Sequence, residues 1–421
     1  MPPNAAKTMP KARAKLEKKL GREPTKEEVA TYKAKKKAKK AAKAEQRAAA
    51  AASPKKEKKR SAETEAAAPA TKKAKATPGD PAAAAPPAAA QSSSSSSSAA
   101  PEEPGPVTIV LFYTYCEGLM SKQRQTAAIK FCVESLKKHG VTGRLRVARE
   151  GYNGTLTGPT AGVRAFTASL ETFDAATFGN GRVDFKYVDG LPRNQMLKGI
   201  KCWPVSEIVT YGFDARNAPL DKGGTHLAPA DFHRALEDPD AVVIDVRNYN
   251  ESLIGKFAPP GDKVLDPMMR RSTEFPQWVA DNRHKLEDKK VLMYCTGGVR
   301  CERASAYMGS QGIKNVFQLE GGIHRYLEEF QSDGGHWVGK NYTFDKRFSH
   351  GADNARVISA CVHCGDPWDR YQAQAKCANR SCAIEVLLCR PCQRQAGGPP
   401  SKASLFCDLC KPGGNKCARA A

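Results

Sequence analysis

No stretch of this chain is apolar for long enough to cross a bilayer, which takes ~20 residues. Nor does an apolar segment of the kind a secretory signal carries follow Met1. Neither a membrane-spanning nor a secreted protein is expected. Acidic residues are scarce: 44 Asp and Glu stand against 67 Lys and Arg, a formal net charge of +23. The shortfall is uneven, with 24 basic and 11 acidic residues inside 1–105 (+13) and the remaining +10 on 106–421. A basic folded region suits a polyanionic partner such as nucleic acid, although the same charge also serves solubility. What the chain has in quantity is cysteine. Fourteen cysteines without a leader point to a reducing, cytoplasmic setting, where thiols react or ligate metal rather than pair as disulfides.

Residues 1–105 are rich in Lys and Ala, then Pro and Ala, then carry seven serines from Ser92 to Ser98. Such a segment cannot bury enough apolar surface to offset its ordering entropy and is expected to be disordered. Lys11 to Arg47 has the composition of a transient helix. The clusters Lys55–Arg60 and Lys72–Lys75 are compatible with nuclear import or an RNA-binding arm, and equally with a solvated tail.

Order is expected from Val107. Strands at Thr108–Tyr113, Arg144–Ala148, Asn153–Thr157 and Val183–Val188 alternate with helices at Lys122–His139 and about Ala161–Phe173. The order β-α-β-β-α-β is that of a ferredoxin-like (acylphosphatase-type) α+β domain over residues 107–190. Arg193, Lys198 and Lys201, just beyond it, can track a phosphate backbone or simply be solvated. Residues 206–335 then alternate strand and helix, the mark of an α/β domain with a mainly parallel sheet. Helices are expected from Pro229 to Leu236, Glu274 to Leu286 and about Ile323 to Phe330. Strands are expected at Ala241–Val246, Val291–Tyr294 and Val316–Leu319. In open sheets of this kind the functional crevice lies at the carboxyl ends of the strands. Asp245 and Arg247 fall there, as partners of each other or of a ligand, and so does Cys295.

The stretch Val291-Leu-Met-Tyr-Cys295-Thr-Gly-Gly-Val-Arg300-Cys301-Glu302 carries the sharpest chemical signal. A buried strand ends in Cys295, and a helix is expected to start at Arg300 and run to Gly309 or Gly312. Gly297 and Gly298 let the backbone curl so that several N–H groups of the loop Thr296–Val299 point at the sulfur. The helix N-terminus adds partial positive charge and Arg300 can add a full one. All lower a thiol pKa from its unperturbed value of about 8.5. The Cys-x4-Arg ring is one residue tighter than the Cys-x5-Arg ring that holds a phosphate, and fits a single sulfur added to Cys295 better. Cys301 can resolve such a persulfide into a disulfide, or can simply pack on its helix.

Residues 361–410 form a separate Cys-rich unit, with Cys361-x2-Cys364, Cys377-x4-Cys382, Cys389-x2-Cys392 and Cys407-x2-Cys410. Eight thiolates suffice for two tetrahedral zinc sites, and the unit has too few large apolar side chains to fold on a core alone. Sequential and interleaved pairing both use all eight ligands, and Cys417 is left over. No organic cofactor is evident.

The blocks Arg144–Gly158, Met293–Glu302, Leu319–Ile323 and Gly339–Asp345, followed by the cysteine unit, occur in one order that resembles the tRNA uridine hydroxylase family of rhodanese-like proteins. The likeness spans about residues 107–410 and is closer still to the eukaryotic thiosulfate sulfurtransferase/rhodanese-like domain-containing branch. It implies a rhodanese domain at 206–335 and an enzyme that hydroxylates uridine 34 of tRNA at carbon 5 with molecular oxygen, Cys295 being the reactive residue, Thr296–Arg300 its cradle and tRNA its partner. The residues by themselves suggest sulfur transfer from a donor such as thiosulfate to a thiol acceptor through a Cys295 persulfide. A third reading is a non-catalytic zinc and nucleic-acid adaptor, against which the intact Cys-x4-Arg loop argues.

Overall fold

A computed structural model describes the protein at residue 25 and at residues 106–411, apart from 214, 383 and 395–403. The basic tail of residues 1–105 apart from residue 25, with both its lysine clusters, and the spare Cys417 lie outside the described residues.

The first sheet is built from β1 (Val107–Tyr115), β2 (Thr142–Ala148), β3 (Gly151–Pro159), β4 (Lys186–Leu191) and β5 (Ile200–Pro204), in the order β4-β1-β3-β2-β5. Its first four strands, with helices α1 (Lys122–Lys138) and α2 (Thr160–Phe173), make the expected ferredoxin-like sandwich. Helix α1 starts because the Ser121 hydroxyl accepts the Arg124 N–H at 3.1 Å. It buries Ala128, Cys132, Ser135 and Leu136, which recur at helical spacing on one face. Two details differ from expectation. β4 begins three residues later than the apolar run at Val183, because Val183 and Phe185 enter the core through a tight turn, Phe185 N–H to Val183 O at 3.0 Å, before the ladder with β1 begins. β5 was not expected; it adds to the edge parallel to β2, with Lys201 opposite Arg144.

The second sheet is wholly parallel, in the order β6 (Thr225–Leu227), β11 (Val316–Leu319), β10 (Lys290–Tyr294), β7 (Ala241–Asp245), β9 (Val264–Leu265). Successive side chains of central β10 enter opposite cores: Val291 and Met293 meet Ile244 and Met308, whereas Leu292 and Tyr294 meet Phe232 and Tyr326. Helices α3 (Pro229–Glu237), α4 (Tyr249–Ser252), α5 (Phe275–Asp281), α6 (Val299–Ser310) and α7 (Gly322–Glu329) complete the α/β domain. The helix expected over Glu274–Leu286 is α5 flanked by 3-10 turns. It ends at Asn282, whose backbone N–H and side-chain amide both donate to Trp278 O, at 3.0 and 2.9 Å, which caps the last turn.

Beyond α7, β12 (Trp337–Gly339) returns to pair antiparallel with β8 (Gly255–Phe257), and a hairpin of β13 (Asn341–Tyr342) and β14 (Ser349–His350) follows. The cysteine unit, with strands β15 (Tyr371–Lys376) and β16 (Glu385–Leu387), shares a core with Tyr249 and Met268 of the α/β domain. Among the described residues no helix is long and apolar enough to cross a membrane.

Candidate functional site

Cys295 stands where β10 ends, its side chain wholly buried. Gly298 has φ +101°, a conformation closed to most L-residues, and this turns its N–H onto the Cys295 Sγ at 3.1 Å. The N–H groups of Gly297 and Arg300 also reach the sulfur. Burial pushes the thiol pKa up, but the neighbouring Cys301 thiol, the Arg300 charge and these N–H groups outweigh burial and hold Cys295 at about 5. Cys301 is pushed the other way, by burial and by the thiolate beside it. The two cysteines therefore form a thiolate–thiol pair at neutral pH. From the far side, the start of α7 grips the loop: Ile323 N–H bonds Cys295 O at 3.0 Å and His324 N–H bonds Thr296 O at 3.1 Å.

The Arg300 guanidinium points away from the sulfur. It makes a bidentate pair with Glu251 on α4, at 2.6 and 2.8 Å, and donates to Thr296 Oγ1 at 2.9 Å. Its charge reaches Cys295 partly cancelled, while its backbone N–H reaches the sulfur directly. Burial pushes the Glu251 carboxyl up, yet Arg300 and then Arg247 hold it below the usual carboxylate range. Asp245 and Arg247 pair with each other at 2.6 and 2.9 Å, both almost fully buried, with Tyr294 Oη on Asp245 and Gly255 O on Arg247. They brace the strand ends beneath the site and do not line the cleft.

The first domain clamps the helix that follows the loop. Tyr113 donates to Glu302 at 2.9 Å, Tyr115 donates to Val299 O at 3.4 Å, and Glu150 receives Arg303 at 2.7 Å. Glu302 also bonds His226 at 2.9 Å and Gln318 at 3.1 Å. Between the domains lies a cleft of about 450 Å³ whose floor includes Thr296, Gly297, Val299 and Arg300. Its cations are Arg144, Arg146 and Lys186 from the first domain, Arg270, Arg271 and Arg300 from the second, and Arg347 from the hairpin; no carboxylate lines it. Arg193, Lys198 and Lys201 lie outside it.

Sequence reasoning missed Glu251, Tyr113 and most of these cations. Asn248-x-x-Glu251 has capping-box spacing, and Glu251 does reach back to the Asn248 N–H at 3.2 Å. Arg144 and Arg146 flank buried Leu145 on β2, so period-2 alternation puts them on one exposed face.

The eight cysteines of the C-terminal unit resolve into two sets, Cys361/Cys364/Cys389/Cys392 and Cys377/Cys382/Cys407/Cys410, each with its sulfurs within 4.8 Å of one another. Pairing is thus interleaved, the first motif with the third and the second with the fourth. A tetrahedron at the ~2.3 Å zinc–sulfur distance has edges of about 3.8 Å. Cys364–Cys389 and Cys382–Cys407 lie at 3.6 and 3.8 Å. Each set can hold one metal ion and is compatible with zinc.

Three family descriptions match: a UPF0176 acylphosphatase-like domain at residues 107–197, a rhodanese-like domain at 228–329 and a rhodanase C-terminal region at 338–417. Rhodanese-like domain-containing protein 6 of Arabidopsis thaliana is 33% identical over 321 residues, 73% of this chain and 53% of that protein, so the chain spans about half that relative's length. The tRNA uridine(34) hydroxylase of Brucella anthropi is 33% identical over 263 residues, covering 62% of this chain and 81% of that protein. That of Mesorhizobium japonicum is 35% identical over 262 residues, covering 61% and 80%. On these identities and coverages, the chain belongs to the tRNA uridine(34) hydroxylase family of rhodanese-type enzymes.

Proposed function

We propose that this protein is a tRNA-modifying enzyme that hydroxylates the uridine at position 34 on carbon 5, with Cys295 as its reactive sulfur. The observation that carries the reading is the cleft around the Cys295 loop, which seven basic side chains and no carboxylate line. Arg300, Arg347 and Lys186 are paired with Glu251, Asp345 and Asp184 behind its wall, and Arg144, Arg146, Arg270 and Arg271 have no carboxylate partner among the ion pairs of the described residues. Such a surface attracts a phosphate backbone and releases its counterions on binding. Relatives named for uridine(34) hydroxylation agree with it. In the reaction one atom of dioxygen replaces the hydrogen on carbon 5. The other leaves as water, which takes two electrons and two protons from a reductant. The thiolate–thiol pair of Cys295 and Cys301 would supply a nucleophilic sulfur and a proton from just behind the floor of the cleft, where Thr296, Gly297 and Val299 face the cavity. The eight C-terminal cysteines would hold two zinc ions, which supply folding energy to a unit otherwise short of core.

A second reading is favoured by the low thiol pKa and the tight ring of N–H groups around the sulfur. Here Cys295 attacks thiosulfate and keeps the sulfane sulfur as a persulfide, sulfite leaves, and an acceptor thiolate removes the sulfur. One experiment separates the two. The protein is incubated with tRNA or with thiosulfate, and the nucleosides and the intact protein are weighed. A uridine one oxygen heavier, absent with Cys295→Ser, supports hydroxylation. A protein one sulfur heavier with unchanged tRNA would leave sulfur transfer.

A further inference from the structure

The hairpin after β13 presents aromatic rings to solvent on a loop that is rigid from within. Buried Asp345 receives the Arg347 guanidinium at 2.7 and 2.9 Å, the Arg347 N–H at 2.9 Å and the Thr343 hydroxyl at 3.2 Å. Two contacts tie the loop to the first domain: Arg144 donates to Phe344 O at 2.9 Å and Lys346 to Asn194 O at 3.0 Å. Phe348 holds φ +67°, a costly conformation for a bulky side chain and one that persists only where surrounding contacts enforce it. Despite this fixation, Phe344 is 45% exposed and Phe348 39%.

Phe344 is a partition. One side of it lines the cleft over the Cys295 loop, and the other lines a second cavity of about 570 Å³. Four aromatic rings line the second cavity: Tyr342, Phe344 and Phe348 come from the hairpin and Tyr371 from the cysteine unit. Tyr342 lies edge-to-face against both Phe344 and Tyr371, with centroids at 5.1 and 5.7 Å, which fixes the wall and leaves the Phe344 and Phe348 rings as its exposed surfaces. Arg144 lines both cavities. The chemistry differs across the partition, because the second cavity is also lined by Glu385, by Lys376 and by Asp345, whose charge Arg347 already takes up. A carboxylate there repels a phosphate but accepts a hydrogen bond from an exocyclic amine.

A flat ring system, attached to a polyanionic chain and bearing its own hydrogen-bonding edge, is the ligand these walls describe. Nucleobases in a duplex hide their faces in the stack, whereas those of an unpaired loop can be splayed onto aromatic side chains. We infer that the cavity behind Phe344 is a second nucleobase subsite, which stacks the base next to the target nucleotide on Phe344 while the target itself enters the Cys295 cleft. The inference rests on the RNA reading above. It assigns Phe344 to substrate positioning and gives the hairpin and the cysteine unit a share in substrate recognition.

The test uses the full-length protein with a short RNA hairpin whose unpaired loop contains the target uridine, and a matching set with an abasic residue on its 5′ or 3′ side. Affinity is read by fluorescence anisotropy. Phe344→Ala should weaken binding of the intact hairpin about tenfold, as expected for one stacked base, and Phe344→Tyr should restore it. One of the two abasic hairpins should show the same loss with the wild-type protein and no further loss with Phe344→Ala. Equal affinity of Phe344→Ala and wild type, or an abasic loss undiminished in Phe344→Ala, would overturn the subsite and leave the RNA reading standing. A wild-type protein that binds no hairpin would overturn both.

Discussion

Arg300 and Glu251 form a buried bidentate pair, 2.6 and 2.8 Å, that joins the start of the helix behind Cys295 to the short helix α4. The pair separates two properties that the Cys-x4-Arg motif runs together. It fixes the loop, and it partly neutralises the charge available to the thiolate. Glu251→Gln should therefore lower stability by about 3 kcal/mol, because a buried guanidinium loses its counter-charge. Where the fold survives, the Cys295 thiol should titrate lower than in the wild type. Thermal denaturation and the thiolate ultraviolet absorbance against pH read the two effects. An unchanged melting temperature would refute the structural part.

The neighbouring Cys301 is the largest influence that holds the Cys295 thiol down, and removing it leaves burial less opposed. Cys301→Ala should move the Cys295 titration up from about 5 toward the ordinary thiol range. The folded value lies below the unfolded value of about 8.5, so the thiolate's contribution to stability is full above the unfolded value and lost as pH falls through about 5. Wild-type activity should fail over the same acidic range, and in Cys301→Ala it should fail at higher pH. Superimposable pH profiles for the two proteins would rule this out.

The backbone plan of both domains was legible because their strands are short apolar runs punctuated by turn residues, and Cys295 was legible because strand, glycines and helix start coincide in one stretch. The cleft was not, because it is assembled from Arg144 on one sheet, Arg270 on a loop of another and Arg347 on a distant hairpin. Linear spacing carries no trace of such convergence. Glu251 was hidden for a related reason: its partner lies 49 positions away. The pairing of the zinc-type cysteines was likewise undetermined, since any set of four sulfurs satisfies the composition.

Gly297 and Gly298 are adjacent but should not be equivalent. A Cβ on Gly298 would meet Tyr113 Oη at 2.8 Å at φ +101°, whereas one on Gly297 would meet nothing within 4 Å. Gly298→Ala should displace either the loop or Tyr113, lowering activity at least tenfold and raising the Cys295 titration. Gly297→Ala should fold with near wild-type stability. Equal effects of the two substitutions on melting temperature and thiol titration would contradict the geometry.

Arg146 lines the cleft, and burial together with neighbouring Arg144 already lowers its pKa, so a phosphate there would relieve an existing strain between like charges. Arg146→Ala should weaken RNA binding across sequences and reduce the slope of log affinity against log salt by about one. A loss of affinity without a change in slope would mean that Arg146 does not meet a phosphate.

The second four-cysteine set touches the site from behind. Arg270, a cleft cation, donates to Cys382 Sγ at 3.2 Å and to Cys410 Sγ at 3.3 Å. Asp408, between Cys407 and Cys410, accepts the Tyr249 hydroxyl at 2.5 Å, and Tyr249 opens the helix that carries Glu251. Tyr249 N–H in turn bonds Met269 O at 2.7 Å, next to Arg270. The purified protein should contain two zinc ions per chain by native mass spectrometry. Because a unit of this kind folds on its metal, chelation should open residues 361–411 to protease and also weaken RNA binding, since Arg270 loses its anchor. Tyr249→Phe, with both ions retained, should reproduce part of the loss of RNA affinity without the proteolysis. Full metal loss with unaltered RNA affinity would show that the cleft stands without this support.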